Sequence, residues 1–445
     1  MILNWNQKRD LIEILVNKIL LVFIFFLFFA GCSTKSKLWE KDKAKIENPK
    51  TITKILNKNT KVENEFNANI KILVSKRKYN SNFFNNRNDT GELNYDGYLK
   101  KIGKYKFARL NDFEMVNVKP LFYEDKILFF DNKGTILFFD EDQKIIWKEN
   151  FYNKSEKKLR PRLNFANKNN ILVISDDVGK YYSINLETGK IIWTKNNSVP
   201  FNSDIKIYKD VFFAVDSKNI LRCISIKDGL ELWNFKTEVS LTKSNTKLSI
   251  VLDKTNVYFN NSIGDITAVN LKSGELAWQL PTQTNNITEN AFLLSNSNLV
   301  ANYNTILFSN NKNEFYSIDT DTGSINWKNK IKSTVKPIVI DKFILTVSSH
   351  GYLYLIEKKS GNIVRINDLY KGYNDKKRSM ISPTGFVVGK GKVYLTNNDG
   401  NLIVADLNTG IILDIKKIAR SKILQPFINK NILYLIKNGS IIKFN

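Results

Sequence analysis

One pattern recurs along this chain and restricts what it can fold into. Residues 179–193 read GKYYSINLETGKIIW: a Gly opens the segment, bulky and polar residues alternate to Asn185, the chain turns at Thr188-Gly189, and the segment ends on Trp193. The segments GTILFFDEDQKIIW (134–147), NILRCISIKDGLELW (219–233), GDITAVNLKSGELAW (264–278) and NEFYSIDTDTGSINW (313–327) repeat it with the Trp. Two more, GYLYLIEKKSGNIVR (351–365) and GNLIVADLNTGIILD (400–414), carry Arg365 and Asp414 where Trp is expected, and GSIIKFN opens an eighth copy at Gly439. Self-similarity at a fixed spacing signals a repeat architecture, in which each unit buries its apolar face only against its neighbours.

Each repeat holds four short runs rich in Val, Ile, Tyr and Phe, separated by Asn, Asp and Gly, which are strand and turn signals. In the second copy these runs are 161–166, 170–175, 180–185 and 190–193. The Thr-Gly before the fourth run suits a hairpin whose Gly has a positive φ, and Asp228-Gly229, Ser273-Gly274, Thr322-Gly323, Ser360-Gly361 and Thr409-Gly410 repeat it. The first copy lacks this Gly and turns more tightly through 141–144. The motifs end at 147, 193, 233, 278, 327, 365 and 414, with gaps of 38 to 49 residues, the size of a four-stranded propeller blade.

The eighth copy stops after its third strand at Asn445 and would leave an unpaired edge at the ring closure. The alternating stretch 95–107, YDGYLKKIGKYKF, can fill that edge. The expected fold is therefore all-β: an eight-bladed β-propeller of four-stranded antiparallel blades over 95–445, with the last blade closed by an N-terminal strand. A flat Trp at the same point of successive blades is expected to pack between neighbours and set their spacing.

The residues before the repeats read differently. Ile19 to Ala30 is an unbroken apolar run, shorter than the roughly 20 residues a bilayer-spanning helix needs, and it runs into Gly31-Cys32. That length suits the apolar region of a secretory signal peptide over 1–31. FAGC resembles the lipobox of bacterial lipoproteins, with Phe29 where Leu is usual, so Cys32 is the expected acylated N-terminus. In lipoproteins of this type Ser33, rather than Asp, favours the outer membrane. Residues 32–94, rich in Lys, Asn and Glu without sustained periodicity, are expected to form a flexible tether.

Chemistry-bearing residues are sparse. The net charge is +25, but the lysines are scattered, as AT-rich codon usage produces, and no nucleic-acid motif accompanies them. A basic surface could attract anionic headgroups or peptidoglycan, and such binding would weaken as salt rises. Cys223 sits in a third-strand run and reads as a small buried hydrophobe. His350 is the one His, placed in a Ser-Ser-His-Gly turn, without the cluster that zinc requires. Asp140, Asp319, Asp321 and Asp406 occupy turn positions where backbone capping explains them. No catalytic, metal or cofactor-binding residue is assigned.

The Asp/Asn-x-x-Thr-Gly-x-x-x-Trp core of these repeats resembles the pyrroloquinoline-quinone-type propellers, which include dehydrogenases and non-enzymatic relatives. Dehydrogenase relatives use a vicinal disulfide, a calcium site and a catalytic Asp, whereas the two Cys here are not adjacent. Lipobox, eight blades and chain length together resemble the BamB-type lipoproteins of the outer-membrane β-barrel assembly machinery. That resemblance implies a non-enzymatic scaffold on the periplasmic side of the outer membrane. Its partners would be the periplasmic domains of a BamA-like barrel and other subunits of the same complex, joined as one monomeric subunit of a hetero-complex. It also implies a contact segment at Val239-Ser240-Leu241-Thr242-Lys243, where Val239 and Leu241 take the apolar places and Thr242 stands where the family has Arg. The alternatives are a quinoprotein dehydrogenase, or a propeller that binds cell-wall glycan or another envelope protein.

Overall fold

The computed structural model describes residues 64–74, 90–239, 247–282 and 294–445. They contain eight four-stranded sheets, each antiparallel throughout. Seven are sequential: blade one spans 121–149, two 163–196, three 206–236, four 250–280, five 300–329, six 338–368 and seven 383–417. Blade eight takes three strands from the C-terminal end, Phe427–Asn429, Ile432–Lys437 and Ser440–Phe444, and its fourth from Lys101–Lys106. Tyr105 pairs with Ile441 and Lys104 with Ile442, which closes the ring with one strand from each end, as the truncated eighth copy demands. The closing strand is shorter than 95–107 because Leu99 has φ 57°, a left-handed backbone that ends the strand.

First strands of neighbouring blades touch one another, so they lie innermost; fourth strands are largely exposed and lie outermost. Alternation of direction then fixes two faces. Turns joining first to second and third to fourth strands lie on one face, here the lower. Turns joining second to third strands, and the connections between blades, lie on the upper.

The Thr-Gly turns form as expected. Asn185 Oδ1 accepts from Thr188 N at 2.9 Å, and Asp319 and Asp406 do the same for Thr322 and Thr409. Asp140 accepts from Lys144 N at 2.8 Å in the first copy, where Gln143 takes φ 67° in place of Gly. Asp321 departs from this pattern and accepts from the Thr320 hydroxyl.

The repeated Trp builds the seams between blades. Trp147, Trp193, Trp278 and Trp327 donate their indole N–H to Leu186, Ile226, Thr320 and Lys358 O in the next blade, at 3.0, 2.8, 2.8 and 3.0 Å. Every acceptor stands three residues before the turn Gly of that blade, and the indole lies on that Gly. A Cβ on Gly189, Gly229, Gly274, Gly323 or Gly361 would meet the indole of Trp147, Trp193, Trp233, Trp278 or Trp327 at 2.5 to 3.0 Å. The turn Gly is therefore required twice, by its φ near 70° and by the ring above it. Opposite four of the five Trp the third strand carries small residues, Ser183, Cys223, Ala268 and Ser317, which leave room for the indole, whereas Trp147 stands opposite Phe138 and packs on its ring at 5.3 Å.

A bulge precedes each Trp: Ser183 pairs with Trp193, but Ile184 pairs with Ile191, leaving Ile192 extra. It turns the two preceding residues outward, so Ile191 and Ile192 are 45% and 48% exposed.

Residues before the closing strand also pack on the ring. Phe66 exchanges backbone hydrogen bonds with Ile366 on the outer strand of blade six, at 3.2 and 2.7 Å. Ile72 and Val74 lie against the core shared by blades six and seven. Leu93 N donates to Val388 O at 2.8 Å at the inner strand of blade seven.

Candidate docking surface

The upper face carries the connections between blades, and these are the longer and less regular segments. The connection after blade one forms the short helix α1 (Lys154–Lys158), capped by Asn153, whose side chain accepts from Ser155 N and Glu156 N at 2.9 Å. Glu156 reaches back to Asn153 N at 2.8 Å, completing a capping box. Lys180 ties the helix to blade two through Glu156, at 3.0 Å, and Phe151 O, also at 3.0 Å. The connection after blade six forms α2 (Asp375–Met380), where Arg378 grips Asp368 with two bonds of 2.7 and 2.9 Å and lies over the Tyr352 ring. Both connections are thus held to the blades beneath them by bidentate or paired contacts.

What these connections present is apolar. Leu159 after α1 is 64% exposed, Met380 at the end of α2 64%, and Met115, in the connection after the closing strand, 75%. Val239, in the connection after blade three, is 46% exposed. Single exposed apolar residues are ordinary, but four on blade connections of one face, with Lys158, Lys376 and Lys377 exposed beside two of them, make this face the candidate docking surface. Leu241, Thr242 and Lys243 lie outside the described residues, as does Cys32, so of the expected contact segment only Val239 is located. Met115, Leu159 and Met380 escaped the sequence reading because each is an isolated residue in an irregular segment.

Inside the ring the upper face opens into an axial cavity of about 480 Å³, lined chiefly by polar side chains. In its wall Asp204 is shared by Lys119, at 2.6 Å, and Lys247. Burial acts to raise the Asp204 carboxyl, but the two ammonium groups overcome this and hold it well below the usual carboxylate range.

Catalytic features are few. Cys223 is buried opposite Trp233, and burial pushes its thiol up to about 12, which leaves it a protonated packing group at neutral pH. His350 lies in an upper-face turn, where its carbonyl accepts from Arg378 at 3.0 Å. Among the described residues no three His, Cys, Asp or Glu side chains gather with metal-binding geometry. Among them, too, no helix is long and apolar enough to cross a membrane.

A family model described as outer membrane protein assembly factor BamB matches residues 132–367, more than half of the chain. The chain belongs to the BamB family. Within it, the assembly factor of Legionella pneumophila is 22% identical over 201 residues, covering 43% of this chain and 47% of that protein. That of Shewanella oneidensis is 24% identical over 251 residues, covering 55% of this chain and 60% of the relative. These matches thus span about half to three-fifths of the relatives' own length.

Among solved structures, BamB from Moraxella catarrhalis superposes with a TM-score of 0.64 at 15% identity, covering 78% of this chain and 99% of that one. The quinohemoprotein alcohol dehydrogenase of Comamonas testosteroni gives 0.61 at 10% identity, covering 80% and 78%. At such identities the likeness speaks for the fold alone. It is the sequence match over 132–367, which includes six of the repeated segments in full, that separates the BamB family from other propellers.

Proposed function

We propose that this chain is a non-enzymatic scaffold of outer-membrane protein assembly. It docks through the blade connections of its upper face on the periplasmic domains of a BamA-like barrel protein, and so supports folding and insertion of β-barrel proteins beside other subunits of that complex. The family match over 132–367 carries this reading. The blade connections displaying Met115, Leu159, Val239 and Met380 support the choice of face. An acylated Cys32, following removal of 1–31, would hold the protein to the inner leaflet of the outer membrane, since each buried methylene of an acyl chain contributes about 0.8 kcal/mol. Residues 32–94 would then link anchor and propeller.

Gentle solubilisation of membranes carrying the intact chain tests this. The BamA-like barrel should co-purify with it, and Val239→Asp or Leu241→Asp should weaken recovery without lowering the unfolding midpoint. Consistent failure to recover that barrel, with crosslinks in intact cells falling on glycan or unrelated envelope proteins, would overturn the proposal.

A further inference from the structure

Lysines that are scattered along the sequence are not scattered in the fold. The fifteen turns of the lower face hold eleven Lys and Arg against twelve Asp and Glu. Four upper-face connections run from blade six round to blade two: 369–382, 418–426, 107–120 and 150–162. They hold thirteen Lys and Arg against four Asp and Glu, a net of +9. The other four connections hold four against two among the described residues. Biased codon usage would enrich both faces alike, so this excess on half of one face belongs to the folded surface.

Much of that charge is uncompensated. Lys158, Arg160, Lys371, Lys376 and Arg420 are exposed and make no ion pair among the described residues. The same half displays Met115, Leu159 and Met380, each on a different connection, whereas Val239 stands in the other half. A protein interface has an apolar centre from which Lys is depleted. Here single aliphatic residues are set among cations, the pattern of surfaces that lie on anionic lipid. Their apolar side chains enter the headgroup boundary while ammonium groups meet phosphates. A glycan would call for flat rings to stack on, and none of the four connections exposes an aromatic side chain.

The path of the chain agrees. Glu65 Oε1 accepts from Asp368 N at 2.9 Å at the upper end of the outer strand of blade six, and Asp368 is the residue that Arg378 of α2 grips. The side of the chain that carries Cys32, the expected acylation site, therefore joins the ring at the edge of the basic half. We propose that this half, from blade six to blade two, rests on the anionic phospholipid headgroups of the membrane and so orients the propeller. The other half, with Val239, stays open to the periplasmic domains of the barrel. This inference rests on the membrane-side placement in the function proposed above, but not on docking to the barrel.

Lysine acetylation of the full chain tests this with no barrel present, on vesicles of phosphatidylcholine with phosphatidylglycerol or of phosphatidylcholine alone. On the anionic vesicles Lys158, Lys371 and Lys376 should be protected and the exposed lower-face Lys254 and Lys272 should not. That protection should fade as salt rises. On the neutral vesicles all five should react alike. Each Lys near an anionic surface contributes about a factor of five in affinity, so Lys158→Glu with Lys376→Glu should lower the protection of Lys371 about tenfold or more. Both positions are exposed, and an unchanged unfolding midpoint shows that the variant is folded. Equal protection on the two kinds of vesicle, or none on either, would overturn the proposal. So would protection that appears only when the BamA-like barrel is added, since it would assign this half to the protein. The mass of the Cys32 peptide reads the anchor by itself: protection on anionic vesicles with an unmodified Cys32 would uphold the surface contact and fail the anchor.

Discussion

Five seams of the ring are made by a Trp from one blade lying on the Gly of the next, and three are not. Between blades six and seven, Arg365 replaces the Trp and is 1% exposed. Its guanidinium donates to Leu407 O at 2.8 Å, the carbonyl three residues before Gly410 that an indole would use, and also to Asn408 O. It reaches Ile70 O at 3.0 Å as well, so it stitches the segment 64–74 to the same seam. The Asn367 side chain covers Gly410 in place of a ring. Between blades seven and eight, Asp414 faces solvent and Lys416 crosses instead, donating to Leu99 O at 2.7 Å. At the closure the sizes are exchanged: the outer strand carries Gly103 and the turn carries Gln143, whose side chain fills the space above Gly103. What the seam conserves is a donor to one carbonyl and a filled volume over the turn, and Trp is one of several ways to supply them.

The comparison can be broken most severely at a Trp seam. Trp278→Ala removes a buried indole, its bond to Thr320 O and its contact with Gly323, and should destabilise by about 3–5 kcal/mol in urea unfolding. Arg365→Leu should cost about 2–4 kcal/mol, since it leaves buried carbonyls unpaired. It should also release 64–74 to limited proteolysis, which Trp278→Ala should not do. Arg365→Lys should fail to restore resistance, because one ammonium cannot reproduce the planar fork that spans three carbonyls.

Smaller effects sharpen the contrast between turns. Gly323→Ala places a Cβ 2.6 Å from the Trp278 ring at φ 72° and should cost about 1–3 kcal/mol by the same assay. Gln143→Gly, at the same turn position of the closure, should change stability by less than about 1 kcal/mol, because relief at φ 67° offsets the lost packing over Gly103. An equal loss at both turns would show that the seams are not built differently.

The smallest effect is electrostatic. Glu314 and Lys328 pair at 2.6 Å beside the Trp327 seam. Burial tends to raise the Glu314 carboxyl, but Lys328 and Asn310 prevail and lower it below 4.5. Its folded value is depressed, so the stability it contributes is present above the unfolded value and lost as pH falls through the folded one. Lys328 is 45% exposed, which limits the contribution to less than about 1 kcal/mol. Glu314→Gln should lower the unfolding midpoint slightly at pH 7 and flatten its decline below about pH 4.5, so that the two proteins converge in acid.

Much of this architecture is written locally. Alternating runs, Thr-Gly turns and a Trp every 40 to 49 residues in the first five copies specify strands, hairpins and their repetition, and a truncated eighth copy calls for a strand from elsewhere. Each of these signals lies within one blade, where spacing along the chain equals position in the fold. The seam replacements were not legible. Arg365 reads as a lost Trp until its carbonyl partners at 407 and 408 are brought beside it, and Gly103 and Gln143 show no relation until the ring closes. The outward pairs such as Ile191 and Ile192 depend on a bulge whose extra residue is defined only against its partner strand.

The sequence by itself determined the ring: its blade count, the four strands of each blade and the strand from the N-terminal side that completes the eighth. Only the tertiary structure decided what meets at the axis and across the seams. Lys119, Asp204, Lys247 and Lys422 lie in different connections, spread over three hundred residues of chain, and converge because closing a ring of blades brings the inner ends of all first strands to one point. Periodicity reports what a residue does within its own sheet; which charges must share a cavity is settled by closure, a property of all eight sheets together.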